Sequence, residues 1–169
     1  MQDVDLSRRW FLRRGKPAGP QPVRPPWAET EHFTDLCTRC GACIAACVDG
    51  VLVAGDGGFP EAVFETGECS FCGDCANACP EPIFVSRALD PWQIVASIGE
   101  ACLAAGGTYC RSCGDACPET AIGFEVTLGG RAKAQVDGEA CSGCGACVSV
   151  CPVGAVRVAP AEEGAGHGR

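Results

Sequence analysis

Short apolar clusters recur along the chain, each only three or four residues long. They are Val51-Leu52-Val53, Ala62-Val63-Phe64, Ile83-Phe84-Val85, Ala121-Ile122-Gly123-Phe124 and Ala155-Val156-Arg157-Val158. Runs this short, rich in β-branched and aromatic residues, read as short strands. None approaches the ~18–20 apolar residues of a membrane span. Between the clusters lie polar, glycine-containing stretches that carry the cysteines. Their surroundings repeat: Glu68-Cys69, Glu100-Ala101-Cys102 and Glu139-Ala140-Cys141 lead into three of them. The pattern predicts a repeated unit of short strand, cysteine loop, short helix and short strand. The helix is expected to begin near the last cysteine of each loop. Ala62-Val63-Phe64-Glu65 is expected to pair with Val51-Leu52-Val53 and cover the loops.

The cysteines carry the chemistry. There are 16 in 169 residues, in four groups of four with none left over. Cys37, Cys40, Cys43 and Cys47 are spaced C-x2-C-x2-C-x3-C. Cys69, Cys72, Cys75 and Cys79 repeat that spacing before Pro80, as do Cys141, Cys144, Cys147 and Cys151 before Pro152. Cys102, Cys110, Cys113 and Cys117, before Pro118, differ only in a first gap of seven residues. Three thiolates in one tight loop wrap one side of a cubane [4Fe–4S] cluster, and this spacing is its bacterial run. Structural zinc usually takes two C-x2-4-C pairs far apart in sequence, and disulfide scaffolds belong to secreted chains. The repeated loops look like neither. Gly41, Ala42, Gly73, Gly114, Gly143, Gly145 and Ala146 suit backbone packed close to sulfur. Pro80, Pro118 and Pro152 fix the turn after the fourth cysteine, where Val48 stands in the first run. Cys102 stands apart. It is either a ligand of a full cubane or a plain buried thiol beside a [3Fe–4S] or labile cluster.

Composition agrees with a metal-built core. Val, Ile, Leu and Phe together number 34 of 169 residues, close to the fraction at which a core becomes doubtful. Clusters that replace apolar volume and cross-link the chain make metal binding part of the folding energy. So many metal-ligating thiolates imply a reducing, cytoplasmic setting. The net charge of −8 is uneven. Residues 1–33 hold six basic and four acidic side chains, a net of +2; the rest hold seven and seventeen, a net of −10. Such an acidic body argues against nucleic acid and for a partner with a basic docking patch. No nucleotide fingerprint or nucleophile–base pair appears, so the chain is expected not to be an enzyme. His32 and His167 are the two histidines, one a surface candidate and one in a Gly-rich tail.

Ser7-Arg8-Arg9-Trp10-Phe11-Leu12-Arg13 looks like a twin-arginine export signal. A true signal follows with an apolar stretch. Here Gly15 to Pro26 holds five prolines, two glycines and two further basic residues, and reads as extended. The segment is therefore expected to stay uncleaved and cytoplasmic, with Arg8, Arg9, Trp10, Phe11 and Leu12 docking a partner. Pro25-Pro26-Trp27 and His32-Phe33, just before the first run, are placed to cap the module that begins there.

The chain resembles bacterial two-cluster ferredoxins through its cysteine runs. Over nearly its whole length it resembles the NapF family, ferredoxin-type accessory proteins of periplasmic nitrate reductase systems. The residues that carry this are Ser7-Arg8-Arg9, Arg24-Pro25-Pro26-Trp27, His32-Phe33, Cys37-Thr38-Arg39-Cys40 and Glu68-Cys69-Ser70-Phe71-Cys72, with Ile98-Gly99-Glu100-Ala101-Cys102-Leu103 and Cys141-Ser142-Gly143-Cys144-Gly145-Ala146-Cys147. The resemblance implies an α+β fold of two tandem 2[4Fe–4S] ferredoxin-like modules, 34–84 and 93–160, with little regular secondary structure. An extended basic segment, 1–33, precedes them, Ser86–Pro91 joins them, and a disordered tail, 161–169, follows. It also implies crosswise ligation, the fourth cysteine of each run serving the other run's cluster. Cys37, Cys40, Cys43 and Cys79 would form the first site, and Cys69, Cys72, Cys75 and Cys47 the second. Cys102, Cys110, Cys113 and Cys151 would form the third, and Cys141, Cys144, Cys147 and Cys117 the fourth. The implied role is binding the cytoplasmic precursor of the catalytic nitrate reductase subunit before export and assisting its maturation. An electron-transfer subunit, a free soluble ferredoxin and a cluster sensor are the competing readings.

Overall fold

The computed structural model describes residues 22–127 and 129–160. Arg8, Arg9, Trp10, Phe11 and Leu12 lie outside them. Regular structure is sparse, as expected, and comes as single helical turns and paired short strands.

The first helical turn of the first module is α1 (Phe33–Leu36), followed by α2 (Ala42–Ala46). Strands β1 (Leu52–Ala54) and β2 (Pro60–Ala62) form an antiparallel hairpin with Leu52 opposite Ala62. The Val63 N–H donates to the Val51 carbonyl at 2.8 Å, which extends the ladder toward the expected partners. Helix α3 (Asp74–Ala78) follows. Ile83-Phe84-Val85 finds its partner in residues before the first cysteine. Ala28 bridges Phe84, Val85 donates to the Trp27 carbonyl at 2.8 Å, and Glu29 donates to that of Ile83 at 2.8 Å.

The second module repeats this plan with longer strands. β3 (Ile94–Ile98) pairs antiparallel with β6 (Val156–Pro160), so its first and last strands close on each other. Between them come α4 (Ser112–Asp115), the hairpin β4 (Ile122–Val126) and β5 (Ala132–Val136), and α5 (Ala146–Ser149).

The helices end at or just before the fourth cysteine of each run instead of beginning there. α2 and α3 stop at Cys47 and Cys79, whose backbones are extended (ψ 98° and 125°). A residue before proline is pushed out of the helical region, and Cys79 precedes Pro80. The turns start instead after left-handed glycines: Gly41, Gly73 and Gly145, with φ of 77°, 81° and 85°. In the run with the long gap, Arg111 (φ −135°) takes that place.

The core is thin. Phe33 and Val51 are its most enclosed large side chains. The third cysteine of every run, Cys43, Cys75, Cys113 and Cys147, is buried inside its helical turn. One apolar cluster joins Val51, Leu52 and Phe64 of the first module to Ile94 of the second. A second gathers Ala96, Ile122 and Val156 around Cys113 and Cys147.

Candidate metal centres

Four small hollows hold all sixteen thiols, four to each. Cys37, Cys40, Cys43 and Cys79 line the first, with Pro60 and Ile83. Cys47, Cys69, Cys72 and Cys75 line the second, with Pro26, Val51 and Leu52. Cys102, Cys110, Cys113 and Cys151 line the third, with Ile98, Leu103, Phe124 and Val156. Cys117, Cys141, Cys144 and Cys147 line the fourth, with Ala96, Ile122 and Val158. Each hollow therefore takes three cysteines from one loop and the fourth from the partner loop.

The local folding explains this sharing. A loop wraps its first three cysteines around one hollow. The helical turn that holds the third cysteine then leads the fourth across to the neighbouring hollow. α2 and α3 lie against each other, so the two exchanges in the first module are reciprocal. Arg39 and Phe71 precede the second cysteine of their loops in left-handed backbone, φ 59° and 55°. Non-glycine residues pay about 1–2 kcal/mol there. The side chains offset it by contacts: the Arg39 guanidinium sits 5.3 Å from the Phe59 ring centre, and Phe71 stands edge-on to Trp27 and Trp92 at 6.2 and 5.7 Å.

Cys102 is brought to the third hollow by the residues of the long gap. Gly106 donates to the Cys102 carbonyl at 3.2 Å, and Thr108 to that of Leu103 at 3.0 Å. Ala104, 3% exposed, accepts from Ala132 at 3.0 Å, which ties the insertion to β5.

The more enclosed thiols sit in apolar surroundings. Burial pushes the Cys69 and Cys147 thiols up to about 12 and Cys75 to about 11, and raises Cys43 and Cys113 as well. At Cys151 burial acts the same way but is outweighed. Backbone N–H groups of Val153, Ala155, Val156 and Gly154 together hold that thiol below its ordinary value. Ala155 donates directly to the Cys151 sulfur at 3.2 Å, and Ala121 to the Cys117 sulfur at 3.3 Å. Buried thiols of this kind ionise only against strong local positive charge, which iron supplies. All-sulfur quartets around a hollow suit a polynuclear iron–sulfur group, held by thiolates and tuned by N–H···S bonds.

Several residues that shape the hollows carry little signal in the sequence. Phe124 closes the third hollow under the Arg111 guanidinium, 5.2 Å from its ring centre. Pro26 closes the second. Trp27, 6% exposed, is held by hydrogen bonds to the carbonyls of Pro91 (2.5 Å) and Leu89 (3.0 Å). Phe33 is covered by Phe59 and by the Arg24 guanidinium, 4.9 Å from its ring centre. A tryptophan or phenylalanine flanking a cysteine run is the one hint available. His32 is exposed and lines none of the four hollows.

The 4Fe-4S dicluster domain family matches residues 36–83 and again 108–155. The ferredoxin-type protein NapF of Haemophilus influenzae is 50% identical over 135 residues, covering 79% of this chain and 77% of that protein. The Escherichia coli K12 NapF is 45% identical over 154 residues, 90% of this chain and 94% of that protein. The methylamine utilization ferredoxin-type protein MauM of Methylorubrum extorquens is 35% identical over 191 residues, 95% and 83% of the two chains. No helix among the described residues is long and apolar enough to cross a membrane. Two dicluster domains in tandem and NapF relatives along most of its length place this chain in the NapF family of ferredoxin-type iron–sulfur proteins.

Proposed function

We propose that the four cysteine quartets each hold one [4Fe–4S] cluster. The protein then acts in the cytoplasm as an accessory factor for a periplasmic nitrate reductase. It binds the precursor of the catalytic subunit and assists its maturation before export, by cluster delivery or electron supply. The observation that carries the cofactor reading is the division of sixteen thiols into four crosswise quartets around separate hollows. The nitrate reductase partner comes from likeness to the NapF relatives. When bound, each cluster supplies a one-electron store. The protein's own residues hold it, exclude water with Ile98, Phe124, Val51 and Leu52, and donate N–H groups to sulfur.

Arg8, Arg9, Trp10, Phe11 and Leu12 are the proposed docking segment. A deletion that tests this ends at residue 21. Beyond that point the chain belongs to the first module: Ala62 donates to the Val23 carbonyl at 2.7 Å, and Arg24 donates to that of Pro60 at 3.1 Å. Removing residues 2–21 leaves iron content near sixteen per chain, four for each cubane, and weakens capture of the precursor. Unchanged affinity removes the docking role. Co-purification separates the main readings, because a maturation factor binds the cytoplasmic precursor and not the exported enzyme. The MauM relative, from methylamine utilization, favours one alternative: a general electron carrier. Equal binding of precursor and exported enzyme supports that carrier.

A further inference from the structure

The two modules meet at the loops of their second and fourth quartets. The Cys69 N–H donates to the Cys144 carbonyl at 2.8 Å. Trp92 Nε1 donates to the carbonyl of Ser142, in the same loop, at 3.0 Å. Phe64, 5% exposed, lies on Gly145, the residue after Cys144. Phe71, from the Cys69–Cys72 loop, stands edge-on to Trp92 at 5.7 Å, and Trp92 stands edge-on to Phe64 at 5.8 Å. The seam is thus bonded through backbone and sealed by three aromatic rings. The first and third loops look elsewhere. Arg39 and Arg111, both exposed, lie over Phe59 and Phe124 of their own modules.

We infer that this seam is the crossing point for an electron between the modules, so that the sites work in the order first, second, fourth, third. The chain order is not the working order. The inference rests on the four-cluster reading. One electron leaves the reduced group held by the Cys69 loop and reaches the oxidised group held by the Cys144 loop. No bond forms or breaks, no proton moves, and the electron enters from an external one-electron donor. From the Cys69 sulfur to the Cys144 sulfur the route is two short side chains, their backbone and one hydrogen bond. Tunnelling falls steeply with separation, and a path this short favours these two sites. Crosswise sharing does the same inside each module, because every site there borrows a cysteine from its neighbour's run.

The test uses the full chain reduced with dithionite, with magnetic coupling between clusters read by electron paramagnetic resonance. Cys144→Ser with Cys147→Ser removes the fourth site, and Cys110→Ser with Cys113→Ser removes the third. Each is expected to lower the iron count from about sixteen to about twelve. With the third site gone, the one cluster left in the second module stays coupled to the first module. With the fourth gone, the one left gives a sharp, uncoupled signal. The opposite pattern, or equal coupling in both, overturns the order. Gly145→Val keeps every ligand and wedges the seam against Phe64. Full iron with weakened coupling supports the crossing point even where a cysteine variant fails to fold, and full iron with unchanged coupling overturns it. A wild-type count far from sixteen fails the four-cluster reading itself, and is told apart from a full count with the wrong coupling.

Discussion

Gly145→Ala and Gly41→Ala make a matched pair. Both glycines precede a helical turn with left-handed backbone, φ 85° and 77°. Alanine therefore pays the same conformational cost at each, about 1–2 kcal/mol. Their surroundings differ. A Cβ at Gly41 meets nothing within 4 Å, whereas at Gly145 it overlaps Cδ1 and Cγ of the Phe64 ring. Phe64 cannot swing aside freely, because it is 5% exposed and held edge-on by Trp92. Overpacking of this kind costs about 1–3 kcal/mol more. At 1.36 kcal/mol per factor of ten, that difference is roughly 5- to 150-fold in a rate. Cluster proteins unfold irreversibly, so the quantity to measure is the rate at which the visible cluster absorbance bleaches on heating with chelator. Gly145→Ala is expected to bleach faster than Gly41→Ala by that factor. Adding Phe64→Ala should cost the Gly145→Ala protein less than it costs wild type. Equal bleaching rates for the two alanine variants would refute the packing argument.

Five further outcomes follow from the geometry. Chelating the iron should leave the chain unfolded or molten by near-UV circular dichroism, since Cys43, Cys75, Cys113 and Cys147 are themselves core residues; native-like packing after chelation counts against it. In the metal-free chain, thiols raised from 9.0 to about 12 by burial bind protons more tightly when packed than when unfolded. Any residual packing is then stable below pH 9 and lost as pH rises toward 12, and a pH titration of fluorescence that rises in stability over this window refutes it. Cluster insertion must expel those protons, so reconstitution yield should fall as pH is lowered, measured as iron per chain. Cys102→Ser should change only the third site, lowering iron by one to four while the fourth-site signal persists. Arg24→Ala removes a cation–π contact with Phe33 and a hydrogen bond to Pro60, and should cost about 1–2 kcal/mol, read as faster bleaching.

The cysteine spacing made the loops legible, because ligand geometry is local and tolerates few alternatives. Hairpin pairing of Val51–Val53 was also legible, since its partner lies a short turn away. The sequence pattern puts each helix too late. The apolar pattern shows where a strand begins, but the limits of a single turn come from backbone: Gly73 or Gly145 opens it, and at α3 the pre-proline Cys79 closes it. Pro25-Pro26-Trp27 reads as a cap, but nothing in it points to Val85 as the strand partner, because the two lie far apart in sequence. Least legible was the seam. Phe64, Trp92 and Gly145 are far apart in sequence, and only their tertiary neighbours give them meaning.

Sharing of cysteines between runs also has a consequence in time. A ribosome delivers Cys37, Cys40 and Cys43 long before Cys79, so the first hollow stays three-sided until the second run has emerged. In the second module the wait is longer. Cys102 must wait for Cys151, and β3 for β6, whose last residue is Pro160. Nascent chains therefore expose incomplete thiol sets for much of their synthesis. The second module closes only once Cys151 and β6 have left the tunnel, so its assembly lags behind that of the first.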